Sequence, residues 1–225
     1  MEAADKTYFF KSNVVLLLLL IISIAIFICL LINLNSIESQ RFEHQVSEFI
    51  QSFRSKKLTP FMKFITRIGD LLGYITIVSV ISIYLILKRK LVLLIQILIV
   101  IISSATINFI LKALIDRPRP YGNGLVYVNF NSFPSGHAVS SIAFYGFIIY
   151  LLFKLHKNVV LKFGVCIFCI IMILLIGISR IYLGVHYPTD ILAGYSSGFS
   201  YLIITILIIK YLEFKKTSIL SHKLT

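Results

Sequence analysis

The stretch Val14–Ile32 reads VVLLLLLIISIAIFICLLI: nineteen residues, no charge, one hydroxyl. As an α-helix rising ~1.5 Å per residue it matches a hydrocarbon core about 30 Å thick. It is apolar on every side, so its surroundings must be lipid. It is longer than a signal-peptide core, and Asn33-Leu34-Asn35-Ser36 offers no small-x-small cleavage site, so a retained span is expected. Five further runs share this character: Leu71–Leu87, Leu91–Leu111, Ala138–Phe153, Phe163–Ser179 and Ile191–Ile209. The fourth span is the shortest and gains length if its helix begins near Ser135. None alternates with period two, which excludes a barrel and leaves helices as the elements that satisfy their backbone in lipid. The fold expected is all-α, an integral membrane six-helix bundle forming a single domain over residues 1–225.

Composition agrees. Of 225 residues, 58% are hydrophobic and 14% charged, against about 45–50% and about 25% in soluble domains. Disorder, coiled coil, collagen and a secreted disulfide scaffold are excluded. Cys29, Cys166 and Cys169 all lie in apolar runs and read as small apolar filler, with no redox or metal role. The net charge of +13 divides between the two faces of the bundle. Lys6, Lys11, Lys88, Arg89, Lys90, Lys154, Lys157, Lys162, Lys210, Lys215, Lys216 and Lys223 share one face with only Glu2, Asp5 and Glu213. The other face holds ten basic and six acidic residues. The positive-inside rule then places both termini in the cytoplasm, and nucleic acid is not an expected partner.

Residues 36–70 differ from the spans. Phe42, Val46, Phe49, Ile50 and Phe53 form one apolar helical face, with Arg41, Glu43, Glu48 and Arg54 on the others. Thr59 reads as an N-cap with Pro60 at the first helical position, and Phe61, Phe64, Ile65 and Ile68 continue an apolar face. One or two short helices lying in the membrane interface, between the first and second spans, are expected.

Three polar clusters fall at one end of this threading. Residues 112–120 (Lys-Ala-Leu-Ile-Asp-Arg-Pro-Arg-Pro) close the third span, Phe133 to His137 (Phe-Pro-Ser-Gly-His) open the fourth, and residues 179–190 join the fifth to the sixth. Lys112, Arg119 and Arg180 are three cations with few fixed anions near them. Guanidinium forks match tetrahedral oxyanions, and a lysine adds a mobile point charge. Pro134-Ser135-Gly136 precedes a helix, whose free N–H groups and dipole favour an anion, and Gly136 permits close approach. Asp190 follows His186 by four residues, one helical turn, so its carboxylate can fix the imidazole tautomer. His137 comes from another helix and can face the opposite side of a phosphorus centre, as in-line displacement requires.

The spacings Lys112-x6-Arg119-Pro120, Pro134-Ser135-Gly136-His137 and Ser179-Arg180-x5-His186-x3-Asp190 closely resemble the three signature motifs of the type 2 phosphatidic acid phosphatase (lipid phosphate phosphatase) superfamily, bacterial six-span type. The resemblance implies that His186 attacks phosphorus to form a phosphohistidine and that Asp190 orients it. It implies that His137 protonates the leaving group and then activates water. Lys112, Arg119, Ser135, Gly136 and Arg180 would hold the phosphoryl oxygens, with no metal and no cofactor. The expected activity is hydrolysis of a lipid phosphate or isoprenyl diphosphate headgroup on the extracytoplasmic face of the cell membrane. Undecaprenyl diphosphate, phosphatidylglycerol phosphate and phosphatidate are the candidate substrate classes. Vanadium haloperoxidases share the site, but six membrane spans argue against that activity.

Two alternatives carry the same motifs: phosphotransfer to a lipid or sugar hydroxyl, and a non-catalytic lipid-binding homologue. The second would show losses at His137, His186 or Arg119, and none is lost. A transporter lacks support, because there are no inverted repeats. Other polar residues take plainer readings. Asp116 and Arg117 read as a local ion pair or headgroup contacts, and Gln96, Ser103, Ser104 and Asn108 as interhelical hydrogen-bond partners. Tyr121, Tyr127, Tyr182 and Tyr187 read as an interfacial belt, and His44, His156 and His222 have no assigned role.

Overall fold

The computed structural model describes residue 11, residues 13–120, 122, 124–128 and 130–223, with side chains to residue 216. Glu2, Asp5, Lys6, Tyr121 and the side chains of His222 and Lys223, named above, lie outside what it describes. Eight α-helices and no strand are present among these residues: α1 (Val14–Ile32), α2 (Ile37–Ser52), α3 (Leu58–Ile68), α4 (Leu71–Leu87), α5 (Leu91–Ile115), α6 (Gly136–Leu155), α7 (Val159–Tyr182) and α8 (Pro188–Lys223). The helices α1, α5, α6, α7 and α8 are each long and apolar enough to cross a bilayer. The 17-residue α4 joins them as a sixth crossing when taken with α3, from which it is bent by 60°.

The expected spans all form, and several run further than their apolar cores. α5 continues past Leu111 and carries Lys112 on its last turn. α7 runs past Ser179 and carries Arg180. Polar side chains can extend a spanning helix beyond the hydrocarbon, because the backbone ladder continues at no extra desolvation cost. α6 does begin at Ser135, as its N-cap.

α6 is the central element, packed against α5, α7 and α8. Its contact with α8 is close because the crossing is lined by small residues. A Cβ on Gly194 would lie 2.6 Å from Ala138 Cβ and 2.8 Å from Ser135 O, and one on Gly198 would lie 2.8 Å from Val139 O. Gly194 and Gly198 are one turn apart, the spacing that lets two backbones approach in lipid. α1 is almost wholly lipid-facing and is tied to α8 by Ser23 Oγ and Ser200 Oγ at 2.7 Å. Of the four polar residues expected to bond between helices, Ser103 pairs with the Tyr201 hydroxyl, whereas Ser104 Oγ bonds within its own helix at 3.0 Å.

The segment between α1 and α4 forms two helices, in which three features stand out. First, α3 starts at Leu58, not Pro60. Ser55 Oγ accepts from Leu58 N at 3.1 Å, and Thr59 instead meets the Tyr182 hydroxyl at 3.0 Å. Second, the aromatic face of α2 points outward: Phe42, Phe49 and Phe53 are exposed while Glu43 is 5% exposed. Lipid is the better solvent for the rings, and the polar side of the helix is therefore free to face the protein. Third, Tyr182 is no belt residue. It is buried, and its hydroxyl also accepts from Ser55 N at 3.1 Å, which fastens the α2–α3 connection to the end of α7.

Candidate active site

The three polar clusters converge at one end of the bundle. His186 lies on the connection between α7 and α8, and Asp190 sits in the first turn of α8. Their spacing brings His186 Nδ1 to 3.2 Å from Asp190 Oδ2. The same oxygen accepts from Tyr187 N at 2.9 Å. On the other side of the ring, Arg119 Nη1 lies 3.1 Å from His186 Nε2. Arginine only donates, so this pairing assigns the lone pair to Nε2 and the proton to Nδ1, which donates to Asp190.

The remaining motif residues surround that pair. Ser135 N donates to Asp190 O at 3.0 Å, joining the N-terminus of α6 to the start of α8. Gly136 packs so tightly that a Cβ would meet Asn108 Nδ2 at 2.8 Å. Lys112 donates to Asn131 O, and Asn131 returns a bond to Lys112 O at 3.0 Å. Arg119 is fixed by Phe130 O, Val185 O at 2.6 Å and Asn131 O at 3.3 Å. Arg180 Nη1 donates to Thr66 Oγ1 at 2.6 Å. His137 meets the backbone of Thr66 and feels the charges of Arg180, His186 and Lys112. Gly69, at the bend between α3 and α4, leaves room for the ring; a Cβ there would come within 3.3 Å of His137 Cδ2. Ser135 Oγ, His137 Nε2 and Arg180 Nε are buried with no hydrogen-bond partner among the described residues.

Burial, then the charges of Arg180, Arg119 and Lys112, hold the His186 imidazole well below its ordinary pKa of 6.5. It is therefore neutral at neutral pH, with a free electron pair on Nε2. Burial lowers Arg119 as well, partly offset by Asp190. Arg117 behaves oppositely: burial acts to lower it, but Asp190 and Glu43 outweigh that and raise it.

Arg117 is the chief correction to the sequence reading. It makes no pair with Asp116, which caps α5 in the left-handed region at φ 46°. Its Nη1 donates to Asp190 Oδ1 at 2.7 Å and Thr189 Oγ1 at 2.9 Å. Its Nη2 donates to Glu43 Oε1 at 2.7 Å and Oε2 at 2.9 Å. Its guanidinium lies 4.2 Å from the centroid of the Tyr187 ring. Thr189 also donates to Glu43. Glu43, Thr66, Asn131 and Thr189 were absent from the expected site. Thr189 is adjacent to Asp190 within the third cluster, but its contact with Glu43, 146 residues away, and that of Thr66 with Arg180, 114 residues away, are visible only in the fold.

An α-helical membrane bundle with a buried His–Asp pair ringed by arginine and lysine defines a class of multi-pass membrane enzymes that act on phosphate esters. The family model of the PAP2 superfamily matches residues 93–214, and the chain belongs to that superfamily. It is 32% identical over 169 residues to phosphatidylglycerophosphatase B of Bacillus subtilis (strain 168), covering 74% of this chain and 82% of that protein. Its fold matches the crystal structure of the transmembrane PAP2-type phosphatidylglycerolphosphate phosphatase from Bacillus subtilis, with TM-score 0.79, 28% identity, and coverage of 85% of this chain and 96% of that one. Aquifex aeolicus LpxE shares the fold at TM-score 0.58 and 23% identity, over 72% of this chain and 93% of that one. The protein is a membrane lipid phosphatase of this superfamily.

Proposed function

We propose that the protein hydrolyses the terminal phosphomonoester of a glycerophospholipid, of the phosphatidylglycerophosphate class, through a phosphohistidine on His186. The carrying observation is the placement of His186 between Asp190 at 3.2 Å and Arg119 at 3.1 Å, beside three buried polar atoms with no partner among the described residues. Similarity to phosphatidylglycerophosphatase B favours this substrate class over an isoprenyl diphosphate.

In the first step His186 Nε2 forms a bond to phosphorus as the bond to the lipid oxygen breaks. His137 supplies the proton that the departing alkoxide takes up. Lys112, Arg119, Arg180, Ser135 and the N–H groups at Gly136 hold the non-bridging oxygens, where they stabilise the trigonal bipyramidal transition state. In the second step His137 takes a proton from water, the hydroxide attacks phosphorus, and the electron pair of the P–N bond returns to His186. Inorganic phosphate leaves. A lipid-facing groove of about 610 Å³ between α1, α5 and α8 accommodates acyl chains. It includes Leu111, the neighbour of Lys112, and Phe27, Ile107, Ile204 and Leu212.

The decisive experiment supplies purified protein with phosphatidylglycerophosphate, phosphatidate and undecaprenyl diphosphate in competition. The expected result is preferential release of phosphate from phosphatidylglycerophosphate and an acid-labile, base-stable phosphoenzyme that H186A cannot form. Turnover by H186A at the wild-type rate would overturn the nucleophile. Preference for the isoprenyl diphosphate would overturn the substrate class, and labelled hydroxyl acceptor in place of free phosphate would overturn hydrolysis.

A further inference from the structure

We propose that Glu43 and Arg117 are a positioning pair for the reaction, through which α2 sets both the orientation and the effective charge of Asp190. The inference rests on His186 as the nucleophile and Asp190 as its support.

Asp190 has two carboxylate oxygens, and the structure divides them cleanly. Oδ2 serves His186 and the Tyr187 amide. Oδ1 takes the Arg117 guanidinium at 2.7 Å. With one oxygen held on each side, the carboxylate cannot turn, and the Oδ2 lone pair that accepts from His186 Nδ1–H is fixed in direction. Arg117 is in turn fixed in plane by the two bonds to Glu43 and by the Tyr187 ring. A guanidinium held by two carboxylates and an aromatic face is a rigid spacer.

The charges matter as much as the shape. Arg117 alone beside Asp190 would neutralise the carboxylate that must support an imidazolium-like phosphohistidine. Glu43 restores one negative charge, so the Glu43–Arg117–Asp190 set carries a net −1. Burial of Glu43 fits this role. α2 exposes its aromatic residues and yet buries a carboxylate to 5% exposure, an arrangement that costs free energy unless the charge is paired. The groups facing His186 are then Lys112 from α5, Arg119 from the α5–α6 connection, His137 from α6, Arg180 from α7 and Asp190 from α8. Arg117 and Glu43 stand behind Asp190.

The test uses full-length protein in detergent with dioctanoyl phosphatidate micelles, reading kcat, KM, the pH profile and inhibition by vanadate. For E43Q the expected kcat falls by about 10-fold or more, the scale of loss when hydrogen-bond partners that orient a metal-ligating histidine are removed, while KM and vanadate affinity stay within about twofold. Its acid limb moves to lower pH, because removing a negative charge makes His186 harder to protonate. E43Q/R117M restores the net charge, so its acid limb returns toward wild type while kcat stays low for lack of the spacer. E43D retains the charge and the wild-type limb. An E43Q enzyme with wild-type kcat and limb would overturn the proposal. So would a fall in kcat with an unmoved limb, or an E43D limb shifted as far as that of E43Q. H186A tests the underlying nucleophile independently. If it remains active, the catalytic reading fails whatever the Glu43 variants do.

Discussion

At His186 the role proposed for the ring opposes the demand of solvation. The ring is 2% exposed, and burial together with Arg180, Arg119 and Lys112 keeps it unprotonated in the folded state at pH values where the unfolded chain takes a proton. Below about pH 6.5 the unfolded state therefore binds more protons at this position, so stability falls as pH drops through that value. H186N removes the titrating group at similar volume. The melting temperature of wild-type protein in detergent should fall more steeply between about pH 7.5 and 5.5 than that of H186N; parallel slopes would show that His186 is not buried neutral. The His186–Asp190 pair was legible in the sequence because four residues make one helical turn, and Pro188 starts that turn. The partners of Arg117 were not legible. Its nearest charge in sequence, Asp116, forms the left-handed cap of α5, and its actual partners lie 73 and 74 residues distant.

At the scale of elements, the six apolar runs announced their helices, while the helix faces were harder to read. In α2 the period of Phe42, Val46, Phe49 and Phe53 identified an amphipathic helix, but the usual inference that the apolar side faces the core fails beside a bilayer. Lipid takes the rings, and the polar side turns inward with Glu43. The α6–α8 crossing shows the converse case: glycines invisible to hydropathy decide how closely two spans pack. Gly194 leaves no room for a Cβ against Ala138 and the Ser135 carbonyl, so this crossing also sets the position of the N-terminus of α6. Gly194→Ala should destabilise the protein by about 1–3 kcal/mol through overpacking and lower phosphatase activity by displacing Ser135. Gly164→Ala, where a Cβ would meet nothing within 4 Å, should leave activity unchanged and raise stability by at most about 1 kcal/mol, since alanine favours the helix. Thermal unfolding and phosphate release on the two variants check this; equal effects would mean that the crossing can relax.

The whole molecule is organised by where its net charge of +13 can reside. Lys112, Arg119 and Arg180 gather at one end of the bundle around His186, and Arg117 stands with them, neutralised by Glu43 and Asp190. The Lys88-Arg89-Lys90 turn between α4 and α5 has no such partners in the sequence, and it is short enough for the positive-inside rule to act on it directly. α5 then carries the chain from that turn to Lys112, a helix of 25 residues that spans the ~30 Å core with length to spare. The turn and the site are thus on opposite faces, and a cytoplasmic turn requires an extracytoplasmic site. A cysteine-free background with a single Tyr127→Cys or Arg89→Cys substitution tests this, since Tyr127 is 88% exposed on the site-side connection and Arg89 is exposed in the turn. A membrane-impermeant maleimide should label the Tyr127→Cys protein in intact spheroplasts and the Arg89→Cys protein only after lysis. The reverse pattern would place the site in the cytoplasm, and the lipid phosphate would then have to be presented from the inner leaflet.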